Sequence, residues 1–141
     1  MGVTEADARA FLKEGLLSAD FGDNEEAIEN FDKALKIMET GEIYLNKGIA
    51  LAELERFEEA IESYDKASKI DPNDPLVLYN KGVVLSDLER FDDAIISYEK
   101  AIEINPNYGD AWYNKGELLK HKGLEDEATV CFDKVKEIES D

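Results

Sequence analysis

The chain has 141 residues, 43% of them hydrophobic, a size that fits one compact domain or one short solenoid. Sixteen Lys plus Arg against 34 Asp plus Glu leave a formal charge of −18, which repels phosphate backbones and anionic headgroups and so argues against nucleic acid or membrane partners. Cys131 is the single cysteine; it excludes an internal disulfide and CxxC chemistry and, with a start that lacks a basic, apolar leader, predicts a reducing, cytoplasmic setting.

In chain order, Thr4 with Asp7 three residues on reads as a helix cap, so the first helix is expected to start near Glu5. Apolar residues then recur at three- and four-residue steps on either side of short polar breaks, which predicts pairs of amphipathic helices and no strands. The first break is Phe21-Gly22-Asp23-Asn24, and Gly41 is expected to end the second helix as a left-handed stop. Leu54-Glu55-Arg56-Phe57 and Leu88-Glu89-Arg90-Phe91 are the next breaks within pairs, and His121-Lys122-Gly123 is the last. Asp71-Pro72-Asn73 and Asn105-Pro106-Asn107 close second helices, because proline lacks the next backbone donor and disfavours helix in the residue before it.

Two markers give the period. Ala27, Ala60, Ala94 and Ala128 are each followed four residues later by an aromatic, Phe31, Tyr64, Tyr98 and Phe132, at successive spacings of 33, 34 and 34. Gly15, Gly48, Gly82 and Gly116 keep the same spacings, so the chain reads as a single domain, 1–141, of four repeats at about 8–40, 41–74, 75–108 and 109–141. Glycine inside a helix costs roughly 1 kcal/mol relative to alanine. Its recurrence here predicts close approach of the first helix to the second, at the small alanine, with the aromatic filling the space beside that contact. A lone hairpin cannot cover both faces of its helices, so the units are expected to stack, with Ala34, Ala67 and Ala101 permitting close spacing.

The pattern W/Y/L-x-x-x-G, then Ala, aromatic, Ala and Pro, resembles the tetratricopeptide repeat family over nearly the whole chain. Lys47, Lys81 and Lys115 depart from it, standing where the family usually has Leu or Ile. The resemblance implies an all-α fold, a right-handed superhelix of four helix-turn-helix hairpins and eight helices, whose first helices line a concave groove. It implies a scaffold that binds a peptide or helix of a partner protein. Carried over position by position, the groove lining comprises Leu12, Lys13, Leu16, Leu45, Asn46, Ile49, Tyr79, Asn80, Val83, Tyr113, Asn114 and Glu117, with Arg9, Glu42, Glu53, Leu76, Asp87, Asp110, Lys120 and His121 alongside. The lysines and arginine with which the family's chaperone-tail binders clamp a terminal carboxylate are missing, since Leu12 and Leu16 or Leu45 and Ile49 occupy the first clamp positions.

Leu12, Leu16, Leu45, Ile49, Tyr79, Val83 and Tyr113 are expected to form an apolar strip that needs a partner, though packing between neighbouring first helices is the alternative. Asn46, Asn80 and Asn114 form a ladder whose amides could hold an extended backbone, or could persist by descent without a ligand. The charges among these positions favour an apolar or cationic protein ligand. Glu58, Glu59, Asp92 and Asp93 begin second helices and are explained by the helix dipole.

Chemistry is absent from the pattern. His121 has no metal-spaced partner, no phosphate loop or nucleophile elbow occurs, and Cys131 lies among acids that disfavour a thiolate. No catalytic residue, metal or cofactor is expected, and the chain is not read as an enzyme. Val130, Phe132, Val135 and Ile138 suggest homo-association through the last repeat, and a further alternative is a recruitment domain of a larger enzyme or regulator.

Overall fold

The computed structural model describes residues 2–141, which form eight helices: α1 Glu5–Asp20, α2 Asn24–Ile37, α3 Gly41–Glu53, α4 Phe57–Ile70, α5 Pro75–Asp87, α6 Phe91–Ile104, α7 Gly109–His121 and α8 Glu125–Glu139. They make four antiparallel hairpins in two compact units, one ending at Pro72 and the other spanning Asn73–Asp141. In the first unit α1 packs on α2, α3 on α4, and α2 on α3. In the second, α5 packs on α6, α6 on α7, and α7 on α8.

Local chemistry sets the boundaries. The Thr4 N–H donates to Asp7 Oδ2 at 2.7 Å and the Asp7 N–H donates to Thr4 Oγ1 at 3.4 Å, the reciprocal box expected at the chain's first helix. Asp23, Thr40 and Asp74 accept from first-turn N–H groups of α2, α3 and α5 in the same way. The starts of α4 and α6 lack a capping side chain. There Arg56 pairs with Glu59 at 2.6 Å and Arg90 with Asp93 at 3.0 Å, fixing acids beside the positive helix end.

All four turns within hairpins share one backbone device. Asp23, Arg56, Arg90 and Leu124 each donate to a carbonyl five residues back, at 2.8–2.9 Å, closing over a residue in the left-handed region. That residue is Gly22 (φ 83°) and Gly123 (φ 81°) in the outer repeats, but Glu55 and Glu89 (both φ 58°) in the inner ones. Gly41 plays no such part. Helix α2 ends at Ile37 with Met38 extended (φ −152°), and Gly41 opens α3, where a Cβ would lie 3.4 Å from Asp71 Cβ. A Cβ there would make ordinary contact with the end of α4, so Gly41 is the first residue of a helix, at a position that does not demand glycine, rather than a helix stop.

The repeat glycines meet the aromatic rings rather than the alanines. A Cβ at Gly15, Gly48, Gly82 or Gly116 would fall 2.5–2.7 Å from the ring of Phe31, Tyr64, Tyr98 or Phe132, closer than packed carbons tolerate. Ala27, Ala60, Ala94, Ala34, Ala67 and Ala101 are fully buried beside these rings, so the hairpin seam is glycine against aromatic with alanines flanking it. Two of the lysines that depart from the family pattern, Lys47 and Lys115, have a use as well. Lys47 of α3 reaches Asp32 of α2 at 2.7 Å, and Lys115 of α7 reaches Glu99 of α6 at 3.9 Å, so each pairs with the second helix of the preceding repeat.

Candidate peptide-binding faces

The expected groove residues all lie on first helices, but the environments differ sharply between repeats. In the first unit, Leu12, Leu16, Asn46 and Ile49 are half-buried and Lys13 is exposed. Leu45 is only 8% exposed, a core side chain held with Ile43 and Tyr44 at the start of α3, and it is withdrawn from the ligand-facing set. Leu12 borders a hollow of about 60 Å³ with Arg9, Met38, Thr40, Glu42 and Ile43. Arg9 is tied to Glu5 of its own helix at 2.7 Å.

In the second unit, Tyr79, Asn80, Val83 and Asn114 are half-buried, while Tyr113 and Glu117 are exposed. Tyr113 keeps 49% of its surface in solvent although its ring lies 5.7 Å from that of Phe132. Tyr79 stacks on Tyr108, centroids 5.1 Å apart, and tilts against Tyr98 at 5.8 Å. Asn114 Nδ2 donates to the Tyr79 hydroxyl at 3.0 Å and to the Tyr98 hydroxyl at 3.5 Å.

The asparagines are thus three of a kind in sequence but not in structure. Asn46 and Asn80 donate to carbonyls one turn back in their own helices, Glu42 O and Leu76 O, both at 2.9 Å. In the first unit the positions matching Tyr79 and Tyr98 are Leu12 and Phe31, which offer no hydroxyl, so Asn46 falls back on its helix. Burial pushes the Tyr79 and Tyr98 hydroxyls above the ordinary phenol range, against the opposing pull of Asn114. Burial, helped by Tyr79 and Asp110, pushes Tyr108 up to about 12.

Between α5, α6 and α7 lies a hollow of about 170 Å³ lined by Val83, Ser86, Asp87, Tyr98, Asn114, Glu117 and Leu118. Tyr108 and Ser86 were not singled out by the sequence. The available signal for Tyr108 was its place in register with the helix caps Thr40 and Asp74: an aromatic cannot cap a helix, and this one makes no capping bond and packs on Tyr79 instead. His121 is exposed, its ring edge-on to Phe91 at 5.0 Å. Cys131 is buried, and burial raises its thiol above the usual range, away from nucleophilic use. Among the described residues no group of three His, Cys, Asp or Glu could hold a metal, and no helix is long and apolar enough to cross a membrane.

Four hairpins built on one glycine-aromatic seam, with half-exposed first-helix faces, define a helical-repeat scaffold. Residues 8–39, 75–108 and 97–129 match the tetratricopeptide repeat family, and residues 48–88 match the TPR repeat. The chain belongs to the tetratricopeptide repeat family. It is similar to the crystal structure of MamA, with 30% identity and a TM-score of 0.92 over 95% of this chain and 79% of that one. It is also similar to YrrB, a TPR protein with an unusual peptide-binding site, at 27% identity and TM-score 0.82 over 95% and 70% of the two chains. MamA 41-end from Desulfovibrio magneticus RS-1, at 24% identity and TM-score 0.88 over 95% and 76%, shares the fold. None of the curated proteins compared matches the chain. The fold is that of a protein–protein interaction scaffold, in a family that is typically not enzymatic.

Proposed function

We propose that the chain holds a peptide or helix of a partner protein against its first-helix faces. The observation that carries this reading is Tyr113, a large aromatic left 49% exposed on α7, one turn from the exposed carboxylate of Glu117. Exposed tyrosine supplies contact area at low entropic cost and is enriched where proteins bind one another. Tyr79, Asn80 and Val83 on α5 extend the same chemistry within the second unit, and Leu12, Leu16 and Ile49 offer a half-buried apolar face in the first. YrrB, with its peptide-binding site, lends support by likeness. The acidic character of the second unit's face, from Asp87, Asp110 and Glu117, favours apolar and cationic ligands.

The test is selection of a random dodecapeptide library on the full chain, followed by affinities on the wild type, Asn80→Ala and Tyr113→Ala. Loss of roughly tenfold or more on Tyr113→Ala supports the reading, in line with an aromatic anchor. Capture that both substitutions leave unchanged overturns it.

A second reading is self-association through α8, where Val130 is 64% exposed and Phe132, Val135 and Ile138 are half-buried. The seam lysine position of α3 and α7 is occupied in α1 by Glu14, and the seam acid position of α8 by Asp133. Copies stacked end to end in the repeat register would therefore oppose two carboxylates. Light scattering showing a monomer at high micromolar concentration removes this reading.

A further inference from the structure

We infer that the hollow between α5, α6 and α7 is a subsite for a basic side chain, arginine or lysine, of a bound peptide. The inference rests on the second unit's first-helix face being a peptide site.

The hollow's polar lining consists of Asp87, Glu117, Ser86, Tyr98 and Asn114, and no lysine or arginine lines it. Asn114 commits its Nδ2 to the two tyrosine oxygens, which leaves its Oδ1 as an acceptor. Two carboxylates, two hydroxyls and an amide oxygen suit a ligand group that is all donors, and guanidinium presents five and ammonium three. The hollow of about 170 Å³ opens to solvent, with Asp87 and Glu117 exposed; it has room for a planar cationic head, whose contacts with the two carboxylates stay partly screened by water. A divalent metal is a poorer occupant, because the described residues bring no third protein ligand of the His, Cys, Asp or Glu type to the site.

The chain carries its own control. In the first unit the positions matching Ser86, Tyr98 and Glu117 are Ala19, Phe31 and Ile49, with Asp20 and Asn46 matching Asp87 and Asn114. That hairpin pair folds on the same glycine-aromatic seam, Gly15 against Phe31, so the repeat does not need the hydroxyls or Glu117. Tyr98, 1% exposed, brings a hydroxyl into the wall at a position where phenylalanine satisfies the packing. The Tyr98 hydroxyl is partnered by Asn114; what the second unit adds over the first is two hydroxyls and a carboxylate around one open volume, where the first has Ala19, Phe31 and Ile49.

The experiment titrates N-acetyl-arginine methylamide, and its neutral citrulline counterpart, into the isotope-labelled full chain and follows backbone amide shifts. Saturable shifts at Ser86, Asp87, Asn114 and Glu117 are expected with the arginine compound, about tenfold weaker with citrulline. They should disappear in Glu117→Ile, which installs the first unit's residue, and in the isosteric Asp87→Asn, each checked for a folded spectrum. Equal response to citrulline, no saturable shift at these amides, or shifts that persist in both variants would overturn the subsite. If peptide capture still depends on Tyr113 in that event, only the subsite has failed and the peptide-binding face stands.

Discussion

The side-chain amide of Asn114 donates to the Tyr79 hydroxyl at 3.0 Å, joining α7 to α5 within the second unit. The same amide approaches Tyr98, whose ring closes the seam against Gly82, so one polar residue couples the candidate binding face to the hairpin core. Asn114→Leu is expected to cost about 1 kcal/mol, because it removes the donor to the half-buried Tyr79 hydroxyl. Asn46→Leu, which loses only a bond to its own helix, should stay within about 0.5 kcal/mol of wild type. Urea denaturation measures both, and equal costs would contradict the assigned environments.

Gly48→Ala sets two effects against each other. Alanine gains roughly 1 kcal/mol of helix propensity, but its Cβ would sit 2.5 Å from the Tyr64 ring, and overpacking of a buried site costs about 1–3 kcal/mol. Tyr64 is fully buried, so a net loss of stability is expected. At Gly116 a Cβ would lie 2.7 Å from the Phe132 ring and 3.1 Å from Cys131 Cβ, but that ring is half-buried and freer to move, so Gly116→Ala should cost less than Gly48→Ala. Thermal melts showing both variants stabilised would refute this seam.

Glu55 and Glu89 hold the left-handed turn position that glycine fills at Gly22 and Gly123. Relieving the clash of Cβ with the backbone, Glu55→Gly or Glu89→Gly is expected to raise stability by about 1 kcal/mol. Gly22→Ala should lower it by a similar amount. Chemical denaturation of the three variants distinguishes a strained turn from one whose left-handed residue is indifferent to side chain.

The tyrosines predict an alkaline limit. The Tyr44 hydroxyl donates to Glu39, and this bond, then burial, pushes its pKa up to about 12; burial does the same for Tyr108. A folded pKa above the unfolded value of about 10 means the folded chain holds the proton more tightly. This contribution is complete below pH 10 and is lost as pH rises from 10 through 12. Tyr44→Phe should shallow the loss of stability over that interval, followed by denaturant titration at each pH.

The repeat was legible in the sequence because glycine, alanine and aromatic residues must recur wherever two helices touch at one geometry. The proline-closed ends and the Thr4 cap were legible for a related reason: each side chain acts on its own backbone. Gly41 misled because glycine is tolerated both at a left-handed stop and at a helix start. Leu45 misled because repeat position was equated with exposure, whereas burial depends on what the adjoining helix presents. The asparagine ladder failed as a ladder for the same reason: the hydroxyls of Tyr79 and Tyr98 rewrite the surroundings of Asn114, and periodicity alone does not carry that information. The hollow between α5, α6 and α7 draws on residues 35 positions apart, Val83 and Leu118, which only the packed helices bring together.

The most direct measurement is photo-cross-linking of the full chain with a captured dodecapeptide carrying a benzophenone, read by mass spectrometry. Cross-links on first helices, at Tyr79, Val83 or Tyr113 in the second unit or Leu12, Leu16 or Ile49 in the first, are the expected result. Cross-links confined to second helices, at exposed residues such as Lys66, Ile96 or Val130, would contradict it.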